Sequence, residues 1–432
     1  MAVLDGAAGA VRDSVRAAAM FAMGTRDEFT RRMLGRHMIA DPYPTYEWAR
    51  SQGRLIGSKY GLTTVDWELA NAILRNPAIR TANSQRGVVA EQLGGRVMGW
   101  MFGPPRRPGV VDPIGPDSMI GTDGEAHRRL RRLTREPFSA TTIEQLRPRL
   151  TRVAEQLVRE ARRSPTFDLM EEFATRLPVT AICELLGIPE EDRGRFRAWG
   201  EAIAADLDAY VTAPRERAAG RAMRELQAYF TDLIPRRRAD PGEDVLSHLI
   251  AAEEEDRLSE RELLVLCSLL VLAGFETTVN LIGNGVMALI RFPEQQEVLR
   301  ADPSLIPGAV DEFLRYDAPI QIVARFAPED MEIAGVEIPA TIPLSIMLGG
   351  ANRDPAMFED PATLDVTRAN ARKHLSFSTG PHNCLGAPLA VLEAEVAFAA
   401  LFEALPELRL ADRAQRRDTF VMRGYQRIPL VS

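Results

Sequence analysis

Cysteine is scarce in this chain: Cys183, Cys267 and Cys384 are scattered through 432 residues with no CxxC pair. That excludes a disulfide framework and suits a reducing cytoplasm. Lysine is scarcer still, since Lys59 and Lys373 are the only two among 53 basic residues. Net charge is -7, and the arginines alternate with acids instead of forming a basic tail. Bulk attraction to nucleic acid is therefore excluded as a working principle. No apolar run reaches the roughly 20 residues of a membrane span, so no transmembrane segment is expected. Ala17 to Met23 follows Arg12 and Arg16, but Asp5 and Asp13 spoil a signal-peptide charge pattern. An alanine-rich amphipathic helix is the expectation there.

Aromatics make up only 6%, while alanine, leucine and arginine abound, so helix formers dominate. Apolar residues recur at helical spacing over Thr141–Ala161 and Arg215–Ile234, and Leu258–Arg291 reads as one long apolar helix. Short strand-like runs occur at Leu62–Val65 and again after Pro319. No repeat and no linker divides the chain. The pattern predicts a mainly helical single domain with a small β-rich part, spanning residues 41–432 after a helical extension at 1–40. The Gly/Pro-rich stretch Gly87–Pro116 holds Met98, Trp100 and Phe102, which predicts a loop covering a binding site.

The most informative segment is Phe377-Ser-Thr-Gly-Pro-His382-Asn-Cys384-Leu-Gly386. A lone cysteine is usually a small buried hydrophobe, and Cys183 and Cys267 are read so. Cys384 differs because glycines flank it and a helix starts just after it. Backbone N–H groups and the positive helix end would stabilise an anionic sulfur there. Gly380 and Gly386 permit a tight backbone and close approach of a flat group.

This segment resembles the haem-binding loop of the cytochrome P-450 superfamily, and the likeness runs from about Asp41 to the C-terminus. The resemblance implies the fold of that family and a haem b with Cys384 as axial thiolate. It also implies that Phe377 packs near the sulfur, that Gly386 lets the macrocycle approach, and that His382 reaches a haem propionate. Glu312-Phe-Leu-Arg315 matches the family's buried structural pair, with Arg368 as third member. Ala273-Gly-Phe-Glu276-Thr277-Thr278 resembles the oxygen-binding helix, Ala273 lying against the haem and Glu276 and Thr277 forming its acid–alcohol proton relay. A hydroxyl there, bonding back to the i−4 carbonyl, could bend the helix and open a groove. His127 and Arg131, four apart on one helix face, resemble the family's propionate clamp, and Arg325 resembles another propionate ligand.

Two positions depart from the family pattern. Ser378 stands where glycine often follows the phenylalanine, and Val391 where arginine is usual. The implied activity is insertion of one oxygen atom of O2 into a lipophilic small molecule. Electrons would come from ferredoxin and ferredoxin reductase or an equivalent donor. Arg128, Arg129, Arg132, Arg372 and Lys373 are the expected docking patch for that acidic donor. A peroxide-using enzyme and a non-catalytic haem sensor are the alternatives. Substrate contacts are expected from Met98, Trp100, Phe102, Phe275, Ile322, Val323 and Met422.

Overall fold

The computed structural model describes residues 28–432 apart from 34, 59–60, 82–108, 206–211, 256, 341 and 406. Met98, Trp100 and Phe102 lie outside the described residues, as do most of the expected covering loop and most of the 1–40 extension. Helices dominate. Those that frame the site are α1 (Tyr43–Gln52), α2 (Trp67–Arg75), α3 (Gly124–Arg135), α4 (Arg147–Ala161), α5 (Arg176–Leu185), α6 (Arg193–Ala204), α7 (Ala213–Ala239), α8 (Val245–Glu254), α9 (Glu260–Gly274), α10 (Glu276–Arg291), α11 (Ile306–Tyr316) and α12 (Ala387–Ala404).

Local chemistry starts these helices where the sequence supplies caps. Asp66 accepts from the Leu69 amide at the head of α2, and Asp244 does the same for α8. Ser259 and Glu262 form a reciprocal capping box on α9.

The expected single helix over Leu258–Arg291 is two helices. Phe275 (φ -134°, ψ -38°) interrupts the ladder between α9 and α10. Close packing explains the position of the break. A side chain at Gly274 would sit 2.6 Å from Ile182 of α5, and one at Gly200 of α6 would sit 2.2 Å from the Phe275 ring. Glycine at both sites lets three helices meet there. The stretch Glu260–Arg291 is long and apolar enough to cross a membrane by length and composition, but 83% of its apolar window is buried inside the fold. Together α9 and α10 run through the centre of the core.

The β-rich part contains β1 (Ile56–Ser58), β2 (Gly61–Thr64), β3 (Arg80–Thr81), β4 (Thr166–Asp168), β5 (Ile322–Phe326), β6 (Met331–Ile333), β7 (Val336–Ile338), β8 (Pro343–Met347), β9 (Gln415–Arg416), β10 (Tyr425–Arg427) and β11 (Pro429–Val431). Five of them form a sheet in the order β1-β2-β8-β5-β3, in which only β2 and β8 run parallel. The sheet has its own apolar cluster, with Leu69, Ile73, Leu344 and Ile346 buried at its face. The larger core surrounds α9, α10 and α12.

Candidate active site

Cys384 lies between a short helical turn (Gly380–His382) and the start of α12. Solvent reaches it, although protein rings it closely. Its own amide donates to the Phe377 carbonyl at 2.8 Å, closing the loop on itself. Burial pushes the thiol up, while the amides of Gly386 and Ala387 and the Arg131 guanidinium pull it down. The sulfur thus faces donors suited to a thiolate. Cys183 and Cys267 are buried, and burial pushes both thiols up to about 12, so they stay protonated.

The two glycines flanking Cys384 serve different ends. Gly380 has φ +71°, and a side chain there would lie 2.5 Å from the Leu74 carbonyl of α2. Nothing lies within 4 Å of a side chain added at Gly386. Gly380→Ala is therefore expected to destabilise the apoprotein by about 1–3 kcal/mol. Gly386→Ala should leave apoprotein stability within about 0.5 kcal/mol but weaken haem uptake. Thermal melts and haem titration separate the two. Ser378, the departure from glycine, adopts φ +58°, a conformation costly for a side-chain-bearing residue.

Around the cysteine the structure gathers the expected cationic and imidazole groups. The His127 and His382 rings stack with centroids 4.1 Å apart. Arg131 donates to the Asn383 carbonyl at 2.7 Å. His382 Nε2 lies 3.0 Å from Asp123 Oδ1, and the Asp123 charge also acts on Arg325. Burial, helped by His382 and Arg131, lowers His127 to about 4, so its ring is neutral at pH 7. Arg325 is 8% exposed and burial draws it down to about 10. Its guanidinium donates to the Ala324 carbonyl, and among the described residues no carboxylate forms an ion pair with it. Buried cations without an anion are expensive. Arg131 acts on the thiol, and Arg325 shares Asp123 with His382, so the two arginines fit a group that carries carboxylates at its edge and a metal at its centre, as haem does.

The α9–α10 junction presents a distinct face. Ala273 is exposed and Gly274 and Thr277 are partly exposed, whereas most of their neighbours are buried. Thr277 donates to the Ala273 carbonyl at 3.3 Å, the expected back-bond. Glu276 is fully buried, and Arg417 Nη1 stands 2.9 Å from its Oε2. Burial raises this carboxyl and Arg417 opposes the rise. Phe275 lies apart, fully buried against Gly200. Ile322 and Val323 are half-buried on β5, and Met422 is buried and bridges to Ile320.

Glu312 and Arg315 are both inaccessible and joined by two hydrogen bonds of 2.6 and 2.7 Å. Arg368 adds a third at 3.2 Å. The expected docking patch is largely neutralised: Arg128 and Arg132 pair with Glu125, Arg129 with Glu262, and Arg372 with Asp311. Val391 packs against the core instead of meeting solvent as an arginine would. Three residues escaped the sequence reading: Asp123 under His382, Arg417 on Glu276, and Asn352. The Asn352 side chain bonds the Leu375 amide at 2.6 Å and the Ser376 hydroxyl at 2.8 Å. Asp123 precedes a helix that the sequence marks, and Asn352 sits in a noted Ala-Asn-Arg-Asp-Pro segment; Arg417 carries no sequence signal.

Comparison with known proteins agrees with this geometry. Residues 105–406 match the family model described as Cytochrome P450. The chain is 38% identical to the cytochrome P450 monooxygenase PikC of Streptomyces venezuelae over 387 residues, 87% of each protein. It is 42% identical to the 6-deoxyerythronolide B hydroxylase of Saccharopolyspora erythraea over 318 residues, 72% of this chain and 77% of that one. The ligand-free crystal structure of Mycobacterium smegmatis CYP164A2 superposes with a TM-score of 0.83 at 34% identity, covering 94% of this chain and all of that one. The exposed cysteine at a helix start, the buried Glu312–Arg315 pair and these likenesses agree: the chain belongs to the cytochrome P450 family and is an oxidoreductase of its monooxygenase kind.

Proposed function

We propose that this chain inserts one atom of O2 into a lipophilic small molecule, with haem b held by the Cys384 thiolate and electrons from a ferredoxin and its reductase. The observation that carries the reading is an accessible cysteine facing N–H donors and Arg131, with Arg325 linked to the same cluster through Asp123 and neither arginine in an ion pair among the described residues. Arg131, Arg325, His127 and His382 would hold the propionates, and Phe377 and Gly386 would flank the sulfur and the ring. When bound, haem would supply the electron-accepting and oxygen-activating chemistry.

The protein's own work is positioning and proton supply. Glu276 is buried, and the opposing pulls of burial and Arg417 suit a carboxyl that both takes and gives a proton. Its proton would pass to the Thr277 hydroxyl, which surrenders its own proton toward the open face at Ala273. At rest that hydroxyl donates to the Ala273 carbonyl, and this bond opens as its proton is passed on. Ile322, Val323 and Met422 would meet the substrate, together with Met98, Trp100 and Phe102 of the covering loop. One relative is named for hydroxylating 6-deoxyerythronolide B, which fits an apolar lining. Two buried free thiols suit work in the cytoplasm.

Reconstitution with haem, ferredoxin and reductase under isotope-labelled O2 tests this reading. A spectral-shift screen of terpenoids, steroids, fatty acids and polyketides first finds a ligand. One labelled oxygen atom in the product is expected. Product formed only from added peroxide, or none from any ligand that binds, would overturn it. Glu276→Gln is expected to cut coupled turnover about 100-fold and Thr277→Ala about tenfold or more. Peroxide release should rise in both, as oxygen that is not protonated productively leaves as peroxide.

A further inference from the structure

Aromatic rings are few in this chain, yet four of them meet between α6 and α7. Phe196 and Trp199 of α6 and Tyr229 and Phe230 of α7 pack edge to face, with centroids 5.0 to 5.9 Å apart. Among the described residues, Trp199 and Tyr229 are the only tryptophan and tyrosine whose rings meet, at 5.8 Å. Packing one helix on the other accounts for the rings but not for what surrounds their polar edges. Trp199 Nε1 donates to Glu225 Oε2, and the Tyr229 hydroxyl donates to Asp192 Oδ2, each at 2.8 Å. The Arg195 guanidinium lies 4.8 Å from the Trp199 centroid and 5.2 Å from that of Tyr229, and pairs with Asp192 at 3.1 Å.

The cluster leads inward to the break between α9 and α10. Phe196 and Gly200 are four apart, so they share one face of α6. The Phe275 ring occupies the space that a side chain at Gly200 would need. Phe275 in turn adjoins the Glu276–Thr277 pair. At the other end the rings are buried, but Asp192 is 22% and Arg195 55% exposed, so the cluster reaches solvent. Indole and phenol are among the side chains that give up one electron most readily. A guanidinium so close to both rings penalises positive charge on either, so an electron leaves only together with a proton. Each ring already points its proton at a carboxylate. Burial and Asp192 raise the Tyr229 hydroxyl, which therefore holds that proton at rest.

We propose that Trp199 and Tyr229 form an outlet for oxidising equivalents, through which electrons pass inward to an oxidised haem that finds no substrate and so spare the protein around it. In the first step Trp199 gives one electron to the haem, which is reduced by that electron, and the indole N–H proton moves to Glu225. Tyr229 next gives an electron to the Trp199 radical; the phenolic proton moves to Asp192, and Glu225 returns the indole proton. A soluble thiolate then reduces the Tyr229 radical, Asp192 returns the phenolic proton, and pairs of thiyl radicals couple to a disulfide. The outlet rests on the reading of Cys384 as haem ligand; the pairing of the two rings stands without it.

Laser photolysis of the haem-free protein tests the pair alone. Oxidised tryptophan is expected to hand its radical to tyrosine at a rate independent of protein concentration. Trp199→Phe and Tyr229→Phe keep a ring in place and should each lose that step; unchanged transfer in either variant overturns the pair. Asp192→Asn keeps the shape but removes the proton acceptor and should slow the transfer, so a wild-type rate there overturns the proton-coupled step. Haem-loaded protein exposed to peroxide without substrate tests the outlet. Wild type should show a tyrosyl signal by electron paramagnetic resonance that Tyr229→Phe lacks. Both phenylalanine variants should bleach their haem several-fold faster, with the carbon monoxide spectrum unchanged. Bleaching at the wild-type rate in both overturns the outlet even where photolysis shows transfer. A protein that takes up no haem overturns the outlet together with the reading beneath it, and photolysis still judges the pair.

Discussion

Cys384→Ser is expected to reduce oxygenase turnover to the level of free haem while the apoprotein stays folded. The two halves of that result have separate causes. Cys384 is accessible, so its sulfur contributes little packing. Its backbone bond to Phe377 does not depend on the side chain. Apoprotein stability should therefore change by no more than about 0.5 kcal/mol. A serine hydroxyl is a far weaker acid than a thiol and does not reproduce the electron push of a thiolate on iron. The reduced carbon monoxide complex should lose the band shift that marks the family, and donor-driven product should vanish. Cys183→Ser and Cys267→Ser invert the pattern. Both thiols are fully buried, so each hydroxyl is expected to cost about 1–3 kcal/mol with the spectrum unchanged. Retention of the shifted band in Cys384→Ser, or its loss in either control, would reassign the ligand.

The contrast among the three cysteines was legible in the sequence because it is local: glycines and a helix start surround one and apolar helix surrounds the others. The helical character was legible for the same reason; spacing put Glu312 and Arg315 on one helix face, while only the family resemblance implied that the pair is buried. What escaped depends on distant chain segments. Arg417 reaches Glu276 from 141 positions away, on a C-terminal turn with no motif of its own. The break at Phe275 is set by Ile182 and Gly200, which periodicity within Leu258–Arg291 cannot reveal. The acids around the basic patch were hidden for a related reason. Arginines near one face suggest a field, but Glu125, Glu262 and Asp311 converge on them and cancel most of it. Gly380 and Gly386 look equivalent in the motif, and only the neighbouring Leu74 carbonyl tells them apart.

Arg315→Ala is expected to destabilise the protein by about 3–5 kcal/mol, the usual cost of stranding one member of a buried ion pair. That is a large part of the roughly 5–15 kcal/mol by which domains are stable. The guanidinium is wholly inaccessible, and its loss leaves the Glu312 carboxylate with Arg368 and the Asp365 amide. It also strips donors from the carbonyls of Asn352, Pro361 and Thr363, at 3.1, 2.9 and 3.0 Å. Arg315→Lys should recover only part of this, because an ammonium cannot reproduce a two-pronged contact. Arg368→Ala should cost less, about 1–2 kcal/mol, since its single bond to Glu312 is long and its other bonds lie nearer solvent. The damage has a direction. Asn352, whose carbonyl Arg315 holds, fixes Leu375 and Ser376, and that segment leads straight into Phe377 and Cys384. Haem occupancy should therefore fall at denaturant concentrations where circular dichroism still reports native helix. If Arg315→Ala unfolds within about 1 kcal/mol of wild type, or loses haem and helix together, the pair does not secure the thiolate loop.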